Sequence, residues 1–335
     1  MSASGVFVWG WWQGEDVDAK RVCDSAAAPV AGGFGFGGEL RAGRLHVHGS
    51  RTGYVADDVE QDAVAAACGF EHALCSVACG GGAQLHGWGW NAHAHAAPGN
   101  AAAEVASPCA FFRTPHAVAK LACGEQHSLA LLADGALLSW GAGSCGQLGH
   151  GTRENATAPR RVSLPAASDV AAGARHTLAV CSGQAFSWGW GLYGQLATGG
   201  NEDVLAPAAV DALRGIVVAS VAAGLQHSVW VTASGDAYTC GANADGQLGV
   251  GSDEEVALRP ELVEGVESVR QASCGARHTV WLAADGVYTA GWNAHGQLCT
   301  GDRLSRRAPT RVELAGDARD VACGWWHTAV LLSSP

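Results

Sequence analysis

The chain has 335 residues, a formal net charge of −11 and only 15% charged residues, while apolar residues reach 48%. That apolar share supports a sizeable buried core and excludes intrinsic disorder, and 47 glycines without a three-residue period, beside only 10 prolines, exclude collagen. No long basic tract exists to displace counterions from a phosphate backbone, and no apolar run is long enough for a transmembrane helix, so neither nucleic-acid binding nor membrane insertion is expected.

In chain order, the N-terminal segment MSASGVFVWGWWQGED lacks a basic leader and turns acidic, unlike a signal or transit peptide. The 12 cysteines never form a CxxC pair and read as reduced thiols. A cytoplasmic, non-secreted protein is expected, with a cytoskeletal, ciliary or organellar assembly as its setting. Residues 31–65 hold a weakly patterned unit, GGFGFGGEL followed by a candidate hairpin at Gly43–Ser50.

From residue 66 onward the chain repeats itself. A Gly-x-x-His-Ser/Thr/Ala unit appears as CGFEHA (68–73), CGEQHS (123–128), AGARHT (172–177), AGLQHS (223–228), CGARHT (274–279) and CGWWHT (323–328). Its histidines are His72, His127, His176, His227, His278 and His327, spaced 55, 49, 51, 51 and 49 residues apart. Its glycines are Gly69, Gly124, Gly173, Gly224, Gly275 and Gly324. A second unit follows each central copy: SWGAGSCGQLGHG, SWGWGLYGQLATG, TCGANADGQLGVG and TAGWNAHGQLCTG, with a decayed version, HGWGWNAHAHA, at 86–96.

Between the two units lie alternating apolar runs joined by turns such as Ala133-Asp134-Gly135 and Ala284-Asp285-Gly286, a hairpin signature. Four short strands per ~50 residues predict a β-propeller. The expected blades are 66–118, 119–167, 168–218, 219–268 and 269–318, preceded by a degenerate blade at 31–65. The last copy stops after one hairpin strand, and GVFVWGWWQG at the N-terminus lines up with GVYTAGWNAHG at 286–296. Residues 1–30 and 319–335 are therefore expected to share a closing blade. That gives a single all-β domain over 1–335, a seven-bladed propeller.

The paired signatures resemble the repeats of the regulator of chromosome condensation family. The resemblance implies a seven-bladed propeller closed by its two termini, and guanine-nucleotide exchange on a small GTPase as one family activity. A plant photoreceptor of that family carries Gly-Trp-Arg-His-Thr at the corner. Here the residue after glycine is Phe70, Glu125, Ala174, Leu225, Ala276 or Trp325, so a coupled tryptophan cluster is not expected.

Residues repeated in every blade read as architecture, because a catalytic group is needed once. The histidines, and Gln147, Gln195, Gln247 and Gln297, are expected to hydrogen-bond backbone groups that would otherwise be buried unpaired. The thirteen tryptophans mostly occupy repeat positions and read as blade packing. No GxSxG, HExxH or P-loop is present, and no cofactor is called for. His86, His93 and His95, with Cys79 and Cys109, match no metal-ligand spacing, so no metal is expected.

The two residues between Gly and His vary from copy to copy, as loop tips do. Phe70, Arg175, Leu225, Arg277, Trp325 and Trp326, extended by Trp12 and Tyr193, are the expected partner-binding set. The function expected is a non-enzymatic interaction scaffold or a subunit of a larger assembly, with nucleotide exchange on a small GTPase as the alternative.

Overall fold

The structure is a computed structural model. It describes the backbone of residues 63–333 and of the strand residues 5–12, 15–23, 28–30, 36–41, 44–49 and 56–59, and the side chains of Phe7, Val8 and residues 64–333.

Alternating apolar runs fold as short antiparallel strands throughout, and one 3-10 turn at Asp211–Leu213 is the single helical element among the described residues. The first strands are β1 (Gly5–Trp12) and β2 (Glu15–Cys23). Next come β3 (Ala28–Val30), β4 (Phe36–Arg41), β5 (Arg44–Gly49) and β6 (Ala56–Val59). The repeats then supply four-strand meanders. These are β7 (Ala63–Cys68), β8 (His72–Cys79), β9 (Gly82–Trp90) and β10 (Glu104–Thr114), then β11 (Val118–Cys123), β12 (His127–Leu132), β13 (Leu137–Gly141) and β14 (Ala156–Arg161). They continue with β15 (Ala167–Ala172), β16 (His176–Cys181), β17 (Gln184–Gly189) and β18 (Val204–Ala209). Two further sets are β19 (Val218–Ala223), β20 (His227–Thr232), β21 (Ala237–Ala242), β22 (Val256–Leu262), and β23 (Val269–Cys274), β24 (His278–Ala283), β25 (Gly286–Gly291), β26 (Arg306–Arg311). The chain ends on β27 (Ala318–Cys323) and β28 (His327–Leu332).

The ends of the chain meet in one sheet, ordered β2-β1-β28-β27, with β1 antiparallel to β28 from Gly5 opposite Leu332 to Gly10 opposite His327. The edge that β28 would otherwise expose is thereby paired.

The expected count of seven blades is corrected to six. Six sheets are built to the repeat: each has an inner strand (β7, β11, β15, β19, β23 or β27) that runs into a Gly-x-x-His corner, and these six strands line the axial cavity. Strands β3–β6 form an additional four-stranded sheet, whose strand β3 lies against β7 and β27. It has no such corner. The corners of the flanking blades reach each other directly, with the rings of Phe70 and Trp325 4.4 Å apart. The physical reason lies in residues 31–65, which hold neither the corner nor the Gln-Leu loop that ties one blade to the next.

The core sits between neighbouring sheets. Leu178 and Val180 of one blade pack with Trp230, Cys240 and Leu248 of the next, all fully or nearly fully buried. Trp88, Trp140 and Trp188 occupy one repeat position on the third strand of three successive blades and are fully buried.

Candidate functional site

In a four-strand meander the first and third turns lie at one end and the second at the other. The Gly-x-x-His corners and the Gln-Leu loops therefore share one face of the disk, here the corner face.

Each corner glycine donates its N–H to the carbonyl of the histidine three residues on, at 2.8 Å for Gly69 and 2.9 Å for the others. A side chain at Gly124 would run into the His127 ring and lie 2.5 Å from the carbonyl oxygen of Gly173, so only glycine fits. Successive corners are stitched by backbone bonds: Phe70 to Gly124, Glu125 to Ala174, Leu225 to Ala276 and Ala276 to Trp325, at 3.0–3.3 Å.

The histidines are fully buried and point across the blade boundary. For His72, His127, His176, His227 and His278 the partner is a hydroxyl of the following blade rather than the backbone group expected from sequence. His72 Nε2 lies 2.9 Å from Ser128 Oγ, which donates at 2.7 Å to the carbonyl of His95. The same relay runs His127–Thr177–Gln147, His176–Ser228–Gln195, His227–Thr279–Gln247 and His278–Thr328–Gln297. Because the hydroxyl proton is committed to a carbonyl, the imidazole must carry its own proton on Nε2. Burial drives these histidines neutral: His127 and His227 are lowered to about 4, His176, His278 and His327 to about 3. They are poor general bases, which agrees with a bracing role.

The motif glutamines close their own loops. Gln147 Oε1 accepts from Cys145 N at 2.9 Å, and Gln195, Gln247 and Gln297 repeat the contact with Tyr193, Asp245 and His295 at 2.9–3.0 Å. In the decayed loop His95 takes the glutamine position, with its ring 4.6 Å from that of His72 and 6.2 Å from that of His93. Among the described residues no group of three or more His, Cys, Asp or Glu side chains is placed to hold a metal ion.

The variable tip residues divide into three groups. Around the seam between the last and first corners, Phe70 packs on Trp325, and Trp326 meets the ring of Trp292 at 5.0 Å and that of His295 at 6.5 Å. These aromatics are half-buried and lie side by side. The arginines stand in ion pairs between blades, Arg175 to Glu125 at 2.8 Å and Arg277 to Asp245 at 3.2 Å. The bond to Glu125 raises the pKa of Arg175 further. Tyr193 stands apart with Trp190, ring to ring at 5.4 Å, and Leu225 sits at the mouth of the axial cavity. The side chain of Trp12 lies outside the described residues.

Sequence reasoning missed Trp292 and His295. Trp90, Trp190 and Trp292 share a repeat position that reads as packing, yet all three are exposed or half-exposed on the corner face, whereas Ala142 and Ala242 hold that position elsewhere. That variation between copies was the available signal.

A family model described as RCC1-like domain matches residues 4–330. The ultraviolet-B receptor UVR8 of Arabidopsis thaliana is 35% identical over 336 residues, covering 97% of this chain and 70% of that protein. The human E3 ubiquitin-protein ligase HERC2 is 33% identical over 275 residues, 77% of this chain, but the match spans only 6% of that protein. Among solved structures, Prp20p of Saccharomyces cerevisiae, described with its binding properties to Gsp1p and histones, superposes with a TM-score of 0.86 at 18% identity, covering 100% of this chain and 92% of that one.

Proposed function

The chain belongs to the RCC1-like domain family, and from that premise we propose that it is a cytoplasmic, non-enzymatic interaction scaffold that docks protein partners on its corner face. One observation carries the reading: the half-buried cluster of Phe70, Trp325, Trp326, Trp292 and His295, assembled from three blades at variable positions. Aromatic side chains that are part-buried before binding lose little freedom on docking and act as anchors. The corner glycines and histidines that brace the ring are invariant between copies and buried, while the cluster residues are neither. Arg175 and Arg277, already paired with carboxylates, orient the rim and contribute less binding free energy, since exposed ion pairs are worth about 0–1 kcal/mol.

Light sensing is not part of the proposal. Of the six positions after the corner glycine, only Trp325 is tryptophan. Guanine-nucleotide exchange is the activity that the family offers as a second reading, and Prp20p is described as binding Gsp1p.

The test compares wild type with the double variant Trp325→Ala, Trp326→Ala as bait in native extract, read by mass spectrometry beside melting temperatures. Partners lost from the variant at a nearly unchanged melting temperature support docking. Partners kept, with a collapsed melting temperature, would assign the tryptophans to ring closure. Labelled-nucleotide release from a GTPase panel separates exchange from passive binding.

A further inference from the structure

The six inner strands enclose an axial cavity of about 440 Å³, within the range of small-ligand sites. In each inner strand a β-bulge precedes one equivalent position, occupied by Ala65, Lys120, Asp169, Ser220, Gln271 or Asp320. Of these, Ala65, Lys120, Gln271 and Asp320 line the cavity. The layer holds one cation and two carboxylates. Lys120 is committed to Asp169, Nζ to Oδ1 at 2.6 Å, and the other oxygen of Asp169 accepts from Val221 N at 2.9 Å. Asp320 is not matched in this way. Its carboxylate accepts from Val321 N at 2.9 Å, the Gln271 amide beside it donates to the Val321 carbonyl at 3.0 Å, and among the described residues no cation is paired with it. The arginines next in sequence, Arg270 and Arg319, lie outside the cavity lining, and Arg270 is turned to the carbonyl of Ala283 at 3.0 Å.

Further along the axis the wall is small and mostly apolar: Ala122, Ala171, Ala222 and Ala322 line the cavity with Ser273, followed by the thiols of the Cys68 layer. Burial pushes Cys68 and Cys323 up to about 12 and Cys123 and Cys274 well above their ordinary value, so these thiols are neutral. With Lys120 neutralised by Asp169, which lies behind the lining, the layer carries one net negative charge, that of Asp320, beside a wall of alanine methyls.

We propose that the axial cavity is a binding site for a primary alkylammonium group, which places its charge on the Asp320 carboxylate and its methylenes against the alanine wall. Burial of Asp320 without a counter-ion raises its pKa, and an arriving ammonium relieves that cost by supplying the missing charge. The ammonium keeps three donors to satisfy, for which a carboxylate with spare lone pairs is suited. Of the corner-face cluster, Trp325 alone also lines the cavity.

Two sources share this chemistry: a free polyamine, and a lysine side chain on a partner segment. Calorimetric titration with spermidine, and separately with a short capped peptide containing one lysine, distinguishes them. The peptide with norleucine in place of lysine is the blank. Asp320→Asn preserves size and the acceptor for Val321, and Asp320→Ser stands in should that variant melt early. Glu254→Gln, on an exposed loop, controls for the general acidity of the protein. One-to-one binding that weakens at least tenfold in Asp320→Asn and is unchanged in Glu254→Gln supports the site. Spermidine alone then points to a free polyamine, and the lysine peptide to a partner's side chain. No saturable binding of either probe, or equal binding by the Asp320 variants, overturns it.

Discussion

Mild acid should unfold this protein through its own bracing. Seven buried imidazoles are held neutral by desolvation: His127 and His227 near 4, His95, His176, His278 and His327 near 3, and His72 well below its ordinary value. In the unfolded chain the same groups titrate near ~6.5. The unfolded state therefore takes up protons that the native state refuses. Stability is complete above about pH 6.5 and falls as pH drops below it, until the native imidazoles protonate in their turn near 3–4. At about pH 5 each of the six histidines near 3–4 has cost about 2 kcal/mol, and because those native values lie below 5 this figure depends only on the unfolded pKa. Those six together cost about 12 kcal/mol, the scale of a whole domain's stability, and His72 adds in the same direction. Urea midpoints followed by far-ultraviolet circular dichroism between about pH 7.5 and 5.5 give the slope. Near pH 5.5 unfolding should take up about five protons through these six groups, falling below about one proton by about pH 7.5. A slope equal to one proton or none would show that the imidazoles are solvated in the native state, and the relay would fail with it.

Three further outcomes follow from single contacts. Ser228→Ala leaves the His176 N–H without its acceptor and the Gln195 carbonyl without its donor, both buried, and should cost about 2 kcal/mol by chemical denaturation, within the ~1–3 kcal/mol of an unsatisfied buried group. Gly224→Ala should cost more, because the new methyl meets the His227 ring and the carbonyl of Gly275 at 2.6 Å, and a melting temperature like that of wild type would contradict the close approach. Deleting residues 1–14 removes β1 from the shared sheet, exposes β28 and should lower the unfolding midpoint of the whole ring; an unchanged midpoint would refute closure by the chain ends.

Much of this was legible in the sequence because the repeat states its own geometry. Six corner glycines with histidines at fixed distance gave the meander, its turns and the end at which variable residues gather. The blade count failed at the one step that rested on closure arithmetic. Residues 31–65 were counted as a degenerate blade because a ring must close, whereas the six corners meet one another across them, through Phe70 and Trp325. The hydroxyl relay was illegible for another reason. His176 and Ser228 are 52 residues apart and meet only because adjacent blades stand in register. Trp292 was lost to packing because a tryptophan at a strand end reads alike whether it turns inward, as Trp188 does, or lies on the face. Burial alone separates the two, and burial belongs to the assembled ring.

Docking on the corner face buries the seam aromatics against the partner. Hydrogen–deuterium exchange of the protein with and without a captured partner measures this directly. Protection should appear in the peptides around Phe70, around Trp292 and His295, and around Trp325 and Trp326, and be absent from the turns at Asp134, Asp236 and Asp285 on the opposite face. Protection confined to those opposite turns, with the seam exchanging as in the free protein, would contradict it.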